Sequence, residues 1–392
     1  MRRLMFYCQH ILGIGHLIRS MEIVKGLMKD FEVCFINGGE VVADFPIPAG
    51  LEVVNLPPLK TDAGFRTLEV PVGFQSVEAV MAFRCDRLLG LCDRFRPDVL
   101  MVELFPFGRR KFSPELIPLI EYARSMGTKI VCSLRDIVVT KQDQERHEAK
   151  VCKLMNAYFD LLLVHGDPQF MPLERSFSRV QDLRCPVHYT GYVVQDVPPE
   201  TDVLPPDAIP QPLILVSIGG GRFGHELLKG VAQASEFLEG QIPHHIQMFT
   251  GPFAPDEVFA QMEHLAKHRS NLLVQRYTPH LLEYMQQADL SISMAGYNTT
   301  MNVLTTGVRS LLLPFTGNDD QEQTLRSQRL AELGVVSVLH PSDLEPSSLA
   351  QRVRDCLQQA PSPMTFDLHG VAKTAAIIRD LCGVPNRKLA SA

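Results

Sequence analysis

Three stretches of this sequence combine residue types that can do chemistry with a spacing that can position them. The first runs from Ser293 to Gln321. Leu290 to Met294 reads as a buried strand that enters Ala295-Gly296, and a helix is expected to begin just beyond, through Tyr297, Asn298 and Thr299. A small-residue turn at a helix start leaves backbone N–H groups free, and the helix dipole adds to their attraction for an anion. One helix later a second strand, Ser310 to Pro314, ends in a polar loop carrying Asp320-Gln321, suited to hydroxyl groups. A phosphorylated sugar fits both ends; the plain alternative is a pair of ordinary loops in an α/β domain.

The second stretch, Gly219-Gly220-Gly221-Arg222-Phe223-Gly224, lies between a strand and a helix and spells G-x-G-x-x-G. A dinucleotide site also needs an acidic residue at the end of the following strand. That strand ends Phe249-Thr250-Gly251-Pro252, without one. What remains is a turn whose glycines let backbone approach a phosphate, with Arg222 to add charge. The third stretch is Gly13-Ile14-Gly15-His16, the equivalent turn near the start of the chain. A histidine at a helix start is disfavoured as a cation by the dipole and is kept available as a neutral base, or it simply caps and packs.

These turns need elements to hold them. Apolar runs at 4–8, 32–37, 51–57, 98–103, 129–134 and 161–166 alternate with helical periodicity, including 75–95 and a helix with Ser113 as N-cap and Pro114 at its first position. The alternation restarts at 213–218, 245–250 and 271–277. Strands separated by helices of ten or more residues mean βαβ units and parallel sheets. Between the two sets, 196–212 is dense in proline and can continue neither element. The expected fold class is therefore α/β, with two Rossmann-like domains facing across a cleft. They comprise an N-terminal domain 1–195, a linker 196–212, a C-terminal domain 213–365, and a helix and tail 366–392.

Glu103 and Arg135-Asp136 stand at strand ends where they can contact acceptor hydroxyls or form a structural ion pair. Arg109-Arg110-Lys111, among Phe105, Phe107 and Phe112, can take an acidic acceptor, touch a membrane surface, or be a solvated turn anchored by its phenylalanines. No metal and no cofactor are expected. The chain has no Asp-x-Asp pair, Asp319-Asp320 alone is a poor divalent site, and the cysteines and histidines lack ligand spacing.

Across 392 residues, 45% hydrophobic and 21% charged is an ordinary globular balance, long enough for two cores. A net charge of −6 argues against nucleic acid as a partner. Nine scattered cysteines without a Cys-x-x-Cys pair point to a reducing, cytoplasmic setting. No signal peptide or membrane-length apolar run is read, so membrane contact is at most peripheral. The oligomeric state is not legible.

With these motifs together, the chain resembles nucleotide-sugar glycosyltransferases of the GT-B fold. It is most similar to the branch of the peptidoglycan lipid-intermediate N-acetylglucosaminyltransferase; Phe105–Phe112 and Ser133–Asp136 look like signatures of an uncharacterised group within it. The resemblance implies a metal-independent, inverting transfer from a nucleoside-diphosphate sugar, most often a UDP-sugar, to a small-molecule or lipid-linked acceptor. By position it implies that Gly15-His16 lie on the acceptor side with His16 as general base, and that Gly219 to Arg222 lie near the donor phosphates. Tyr277 and Thr278 then fall at the nucleobase, Ala295 to Thr299 at the diphosphate and Asp320-Gln321 at the donor sugar. Asn302 stands where the family usually has a ribose-gripping glutamate. The alternatives on a similar scaffold are a nucleotide-sugar epimerase or hydrolase, and a non-catalytic nucleotide-sugar-binding relative.

Overall fold

The computed structural model describes residues 1–11, 15–42, 45–61, 68–139, 143–196, 212–317 and 321–384. Almost all of the proline-rich segment, together with Gly13, Asp319 and Asp320, lies outside them. The chain divides into two compact units, Met1–Val194 with Asp367–Ala392, and Gln195–Phe366.

The first unit contains β1 (Arg2–Cys8), α1 (Gly15–Leu27), β2 (Phe31–Asn37), β3 (Glu52–Asn55) and a short hairpin of β4 (Lys60–Thr61) and β5 (Leu68–Glu69). It continues through α2 (Val77–Phe95), β6 (Val99–Glu103), α3 (Ser113–Ser125), β7 (Lys129–Arg135), α4 (Gln144–Tyr158), β8 (Leu161–His165) and β9 (Val187–Tyr189). Its seven-stranded sheet has the order β3-β2-β1-β6-β7-β8-β9, and all its pairings are parallel. Successive strand residues face opposite sides. Met5, Tyr7, Leu100 and Val102 accordingly join the core on one face of the sheet, and Leu4, Phe6, Cys8, Val99 and Met101 the core on the other. Burial on both faces is why these strands read as unbroken apolar runs.

The second unit contains β10 (Leu213–Ser217), α5 (His225–Glu239), β11 (His245–Phe249), α6 (Asp256–Ala266), β12 (Leu272–Gln275), α7 (Leu281–Gln287) and β13 (Leu290–Met294). It is completed by α8 (Tyr297–Thr306), β14 (Ser310–Leu313), α9 (Glu322–Glu332), β15 (Ser337–Val338) and α10 (Pro346–Gln358). Its sheet is also parallel, in the order β12-β11-β10-β13-β14-β15.

The last described helix, α11 (Gly370–Leu381), returns to the first unit and packs on α1. Gly26 of α1 lies so close to it that a Cβ there would fall 2.4 Å from Val371 Cγ1. Ile378 is fully buried at this contact, worth about 1.5–3 kcal/mol. One local expectation is corrected. Ser113 does not cap α3; a 3-10 turn over Arg110–Phe112 precedes it, Phe112 holds the cap position and Ser113 Oγ donates to the Arg110 carbonyl at 2.7 Å.

Candidate active site

In each sheet the strand order reverses at one place: between β1 and β6, and between β10 and β13. Diverging connections open a crevice at the carboxyl ends of such strand pairs, which is where ligands bind in open α/β sheets. The first and second glycine turns both follow one strand of such a pair.

In the first unit, His16 sits in the first turn of α1, after β1, and Glu103 ends β6. His16 Nδ1 lies 2.7 Å from Glu103 Oε1, and Arg19, one turn along α1, donates to the same oxygen. The Glu103 side chain is fully buried and that of His16 is 15% exposed. Glu103 is thus ion-paired with Arg19 and set behind His16. Burial pushes the Glu103 carboxyl up, but His16, Arg19 and Arg109 outweigh it and leave it at about 2. Burial pushes the His16 imidazolium down, Arg135 and Arg109 add to this against Glu103, and the result is about 3. The pair is therefore a carboxylate and a neutral imidazole. With Nδ1–H donated to Glu103, the Nε2 lone pair is free to accept a proton.

Arg135 ends β7 and Asp136, fully buried, follows it. Arg109 enters from the loop after β6 in a left-handed backbone conformation (φ 58°), its Nε donating to the Gln9 carbonyl at 2.8 Å. The charge of each arginine acts on His16. Phe105, Phe107 and Phe112 are buried in the core, with Phe107 5.0 Å from Phe177, so this loop turns no aromatic face outward.

In the second unit, Gly219 (φ 67°), Gly221 (φ 87°) and Gly224 (φ 88°) are all left-handed. Gly219 and Gly220 are exposed beside Arg222, whose guanidinium lies 5.0 Å from the Phe253 ring centre. Gly221 is buried. A Cβ there would meet the Thr250 carbonyl at 2.6 Å and Ala254 N at 2.7 Å, so a side chain would collide with the neighbouring loop. Gly224 abuts Met294 at the end of β13, and Phe223 stacks 4.8 Å from Phe315 after β14. The glycine turn, the Ala295-Gly296 turn and the loop after β14 are therefore brought together.

Gly296 caps α8 without a side chain, at an ordinary φ of −61°. A Cβ there would meet only Thr299 Oγ1, at 3.9 Å. Neither backbone nor packing asks for glycine at this place, and the first-turn amides of α8 receive no side-chain cap. Tyr297 is buried with the Arg326 guanidinium 5.0 Å over its ring, Asn298 and Thr299 are partly exposed, and Asn302 is 8% exposed. Tyr277 is 63% exposed and Thr278 Oγ1 accepts from His280 N at 3.0 Å. Both follow the edge strand β12, two strands from β10, apart from the other turns. Gln321 is exposed at the head of α9, and Asp320 lies outside the described residues.

Sequence reading missed Arg19 and the polar cluster under Gln9. Arg19 stands three residues from His16 on α1, a spacing that puts two side chains on one helix face, and that was its available signal. In the cluster, fully buried Arg84 and Glu115 pair through Nε–Oε2 at 2.7 Å, and Arg84 Nη2 donates to Gln9 Oε1 at 2.6 Å. His165 at the end of β8 was also passed over. It is fully buried between Ser133 Oγ (2.8 Å) and Thr190 Oγ1 (2.9 Å), and burial, with Arg19 acting the same way, pushes it down to about 3.

Among solved structures, the calicheamicin glycosyltransferase CalG4 superposes over the full length of both chains with a TM-score of 0.65 at 18% identity. A putative UDP-N-acetylglucosamine 2-epimerase from Listeria monocytogenes does so over 98% of each chain, with a TM-score of 0.65 at 13% identity. Two parallel α/β units with these neighbours define the GT-B glycosyltransferase fold. Within that class the chain resembles the peptidoglycan N-acetylglucosaminyltransferase family, and its residues 214–376 match the glycosyltransferase family 28 C-terminal domain. It is 27% identical over 371 residues to the UDP-N-acetylglucosamine--N-acetylmuramyl-(pentapeptide) pyrophosphoryl-undecaprenol N-acetylglucosamine transferase of Vibrio parahaemolyticus, covering 92% of each. Against three further proteins of that name the chain spans 40% to 49% of their length. No helix among the described residues is long and apolar enough to cross a membrane.

Proposed function

We propose that the chain is a metal-independent, inverting glycosyltransferase that moves a sugar from a nucleoside-diphosphate donor, a UDP-sugar foremost, to an acceptor hydroxyl. The observation that carries this is the His16–Glu103 pair at the β1/β6 switch point, a neutral imidazole with Nδ1–H fixed and Nε2 open. His16 Nε2 takes the proton of the acceptor hydroxyl while that oxygen forms a bond to the anomeric carbon. The bond from that carbon to the diphosphate breaks, and its electron pair leaves with the phosphate oxygen. The amides of Gly296 to Thr299 and the dipole of α8 receive the added negative charge, the task a divalent cation performs elsewhere. Gly219, Gly220 and Arg222 flank the same phosphates, Tyr277 and Thr278 the base, Asn302 the ribose, and Asp320-Gln321 the sugar.

The sugar and acceptor named for the Vibrio relative, UDP-N-acetylglucosamine and a pyrophosphoryl-undecaprenol lipid, set the first donor and acceptor to assay. His16→Ala is expected to lower turnover by about two to four orders of magnitude with donor binding kept. Near-normal turnover rejects the base assignment, and dependence of the wild type on an added divalent ion rejects the metal-free mechanism. The Listeria neighbour gives the epimerase reading a fold but no chemistry; sugar release or epimer formation from donor alone, at the rate of full turnover, selects it.

A further inference from the structure

Two arginines of the second unit are held in opposite ways. Arg276, at the end of β12, spends its donors on the protein: Nη1 on the Ala254 carbonyl at 3.1 Å and Nη2 on Asp256, with the Phe259 ring centre 4.4 Å away. Arg222, on the glycine turn, makes no hydrogen bond and no ion pair among the described residues. What places its guanidinium is the Phe253 ring, 5.0 Å away. An aromatic face holds a guanidinium by its plane and leaves the N–H donors along its edges open. Phe253 is 42% exposed, so burial alone does not account for its ring. A Cβ on Gly220 would lie 3.7 Å from Phe253 Cδ2, which sets the ring against the exposed backbone of the turn.

The loop that carries Phe253 is fastened at both ends. Toward the turn, Phe253 N donates to the Gly220 carbonyl at 3.0 Å. Gly251 (φ 91°) and Gly221 (φ 87°) meet backbone to backbone, since a Cβ on Gly251 would fall 2.5 Å from Gly221 N. Toward β12, Gly251 N donates to the Arg276 carbonyl at 2.8 Å, one residue before Tyr277. Residues 250–256 therefore form a strap from the end of the edge strand to the glycine turn. It joins two places that the strand order keeps apart.

We propose that Phe253 is a positioning residue for the donor. Its ring fixes the Arg222 guanidinium beside the glycine turn with its N–H edges open to the diphosphate, and the strap sets that placement relative to the nucleoside end. This rests on the reading of the second unit as the donor side. Phe253 acts through Arg222, so its loss is felt by ligands that carry the diphosphate and not by the nucleoside alone.

The experiment titrates UDP and uridine into the full chain and into Phe253→Leu, Phe253→Tyr, Arg222→Met and the double variant Phe253→Leu/Arg222→Met. Arg222→Met is expected to weaken UDP about tenfold or more and to leave uridine unchanged. Phe253→Leu keeps apolar bulk and loses the ring; it should weaken UDP about two- to fivefold, with uridine affinity and melting temperature as in wild type. Phe253→Tyr should bind as wild type does. In the Arg222→Met background, Phe253→Leu should cost nothing further, because the two residues act as one unit. Additive losses on UDP, a loss shared equally by uridine, or unchanged UDP affinity in Phe253→Leu overturns the proposal. The cycle on UDP decides even where uridine is too weak to titrate. A wild type that does not bind UDP rejects the UDP-donor reading and the proposal with it. A wild type that binds UDP while Arg222→Met binds it equally well rejects the positioning role alone.

Discussion

Replacing Glu103 with glutamine changes one atom in a fully buried position and removes one charge. In the ground state the substitution is mild for His16, because the amide oxygen can still accept from Nδ1 and keep the same tautomer. The difference comes when His16 takes the acceptor's proton. An imidazolium and a carboxylate in contact, with charge centres about 4 Å apart, attract by about 4 kcal/mol at an effective dielectric of 20. Glutamine supplies none of this, so the barrier rises by roughly that amount and kcat falls by about three orders of magnitude. The buried Arg19–Glu103 pair loses its carboxylate charge, which lowers stability by about 1–3 kcal/mol. Steady-state turnover with saturating donor, urea denaturation, and UDP thermal shift measured on the same preparation separate the three effects. Turnover within about tenfold of wild type, in a protein that is destabilised as expected, refutes the role given to the pair.

Two glycine substitutions should part company. Gly296→Ala fits the fold, since its φ is ordinary and the Cβ meets only Thr299 Oγ1 at 3.9 Å; melting should be unchanged while affinity for UDP falls about tenfold or more. Gly221→Ala meets backbone at 2.6 Å from a left-handed φ and should lose about 2–4 kcal/mol of stability, read by denaturation of the second unit. His165 has its folded pKa near 3 against an ordinary 6.5, so below 6.5 the unfolded chain binds a proton that the folded one refuses. Stability from this group is complete above pH 6.5 and is lost as pH falls toward 3, about 2 kcal/mol at pH 5. His165→Gln, which can keep both hydrogen bonds, should flatten the pH dependence of the first unit's urea midpoint by that amount; an unchanged slope refutes the assignment.

The alternation of strands and helices was legible because parallel strands buried on both faces leave apolar runs, and helices facing a sheet leave a periodic stripe. The turns were legible for a local reason as well: glycine and small residues at strand ends stand out wherever they occur. Long-range pairing was not. Glu103 looks the same at a strand end whether it faces solvent or a buried arginine, and its partner Arg19 is 84 residues away in the chain. The Arg84–Glu115 pair links α2 to α3 beneath a loop that neither helix touches in sequence. The G-x-G-x-x-G spelling hides a constraint of a different kind. Its middle glycine answers to the backbone of residues 250–254, a constraint that depends on how two loops meet and leaves no trace in either alone.

The return of α11 to the first unit bears on how the protein is made. The ribosome delivers residues 1–194 first, yet the helix that covers α1 is encoded after the whole of the second unit. At about 5–20 residues per second the nascent first unit waits some ten seconds or more with the α1 face uncovered while its successor is synthesised. The second unit is continuous in sequence and can close as it emerges, so the half that begins first is finished last. Premature termination just before Asp367 would release a complete second unit joined to a first unit whose α1 face around Gly26 meets water, the kind of exposed surface that chaperones and proteases recognise.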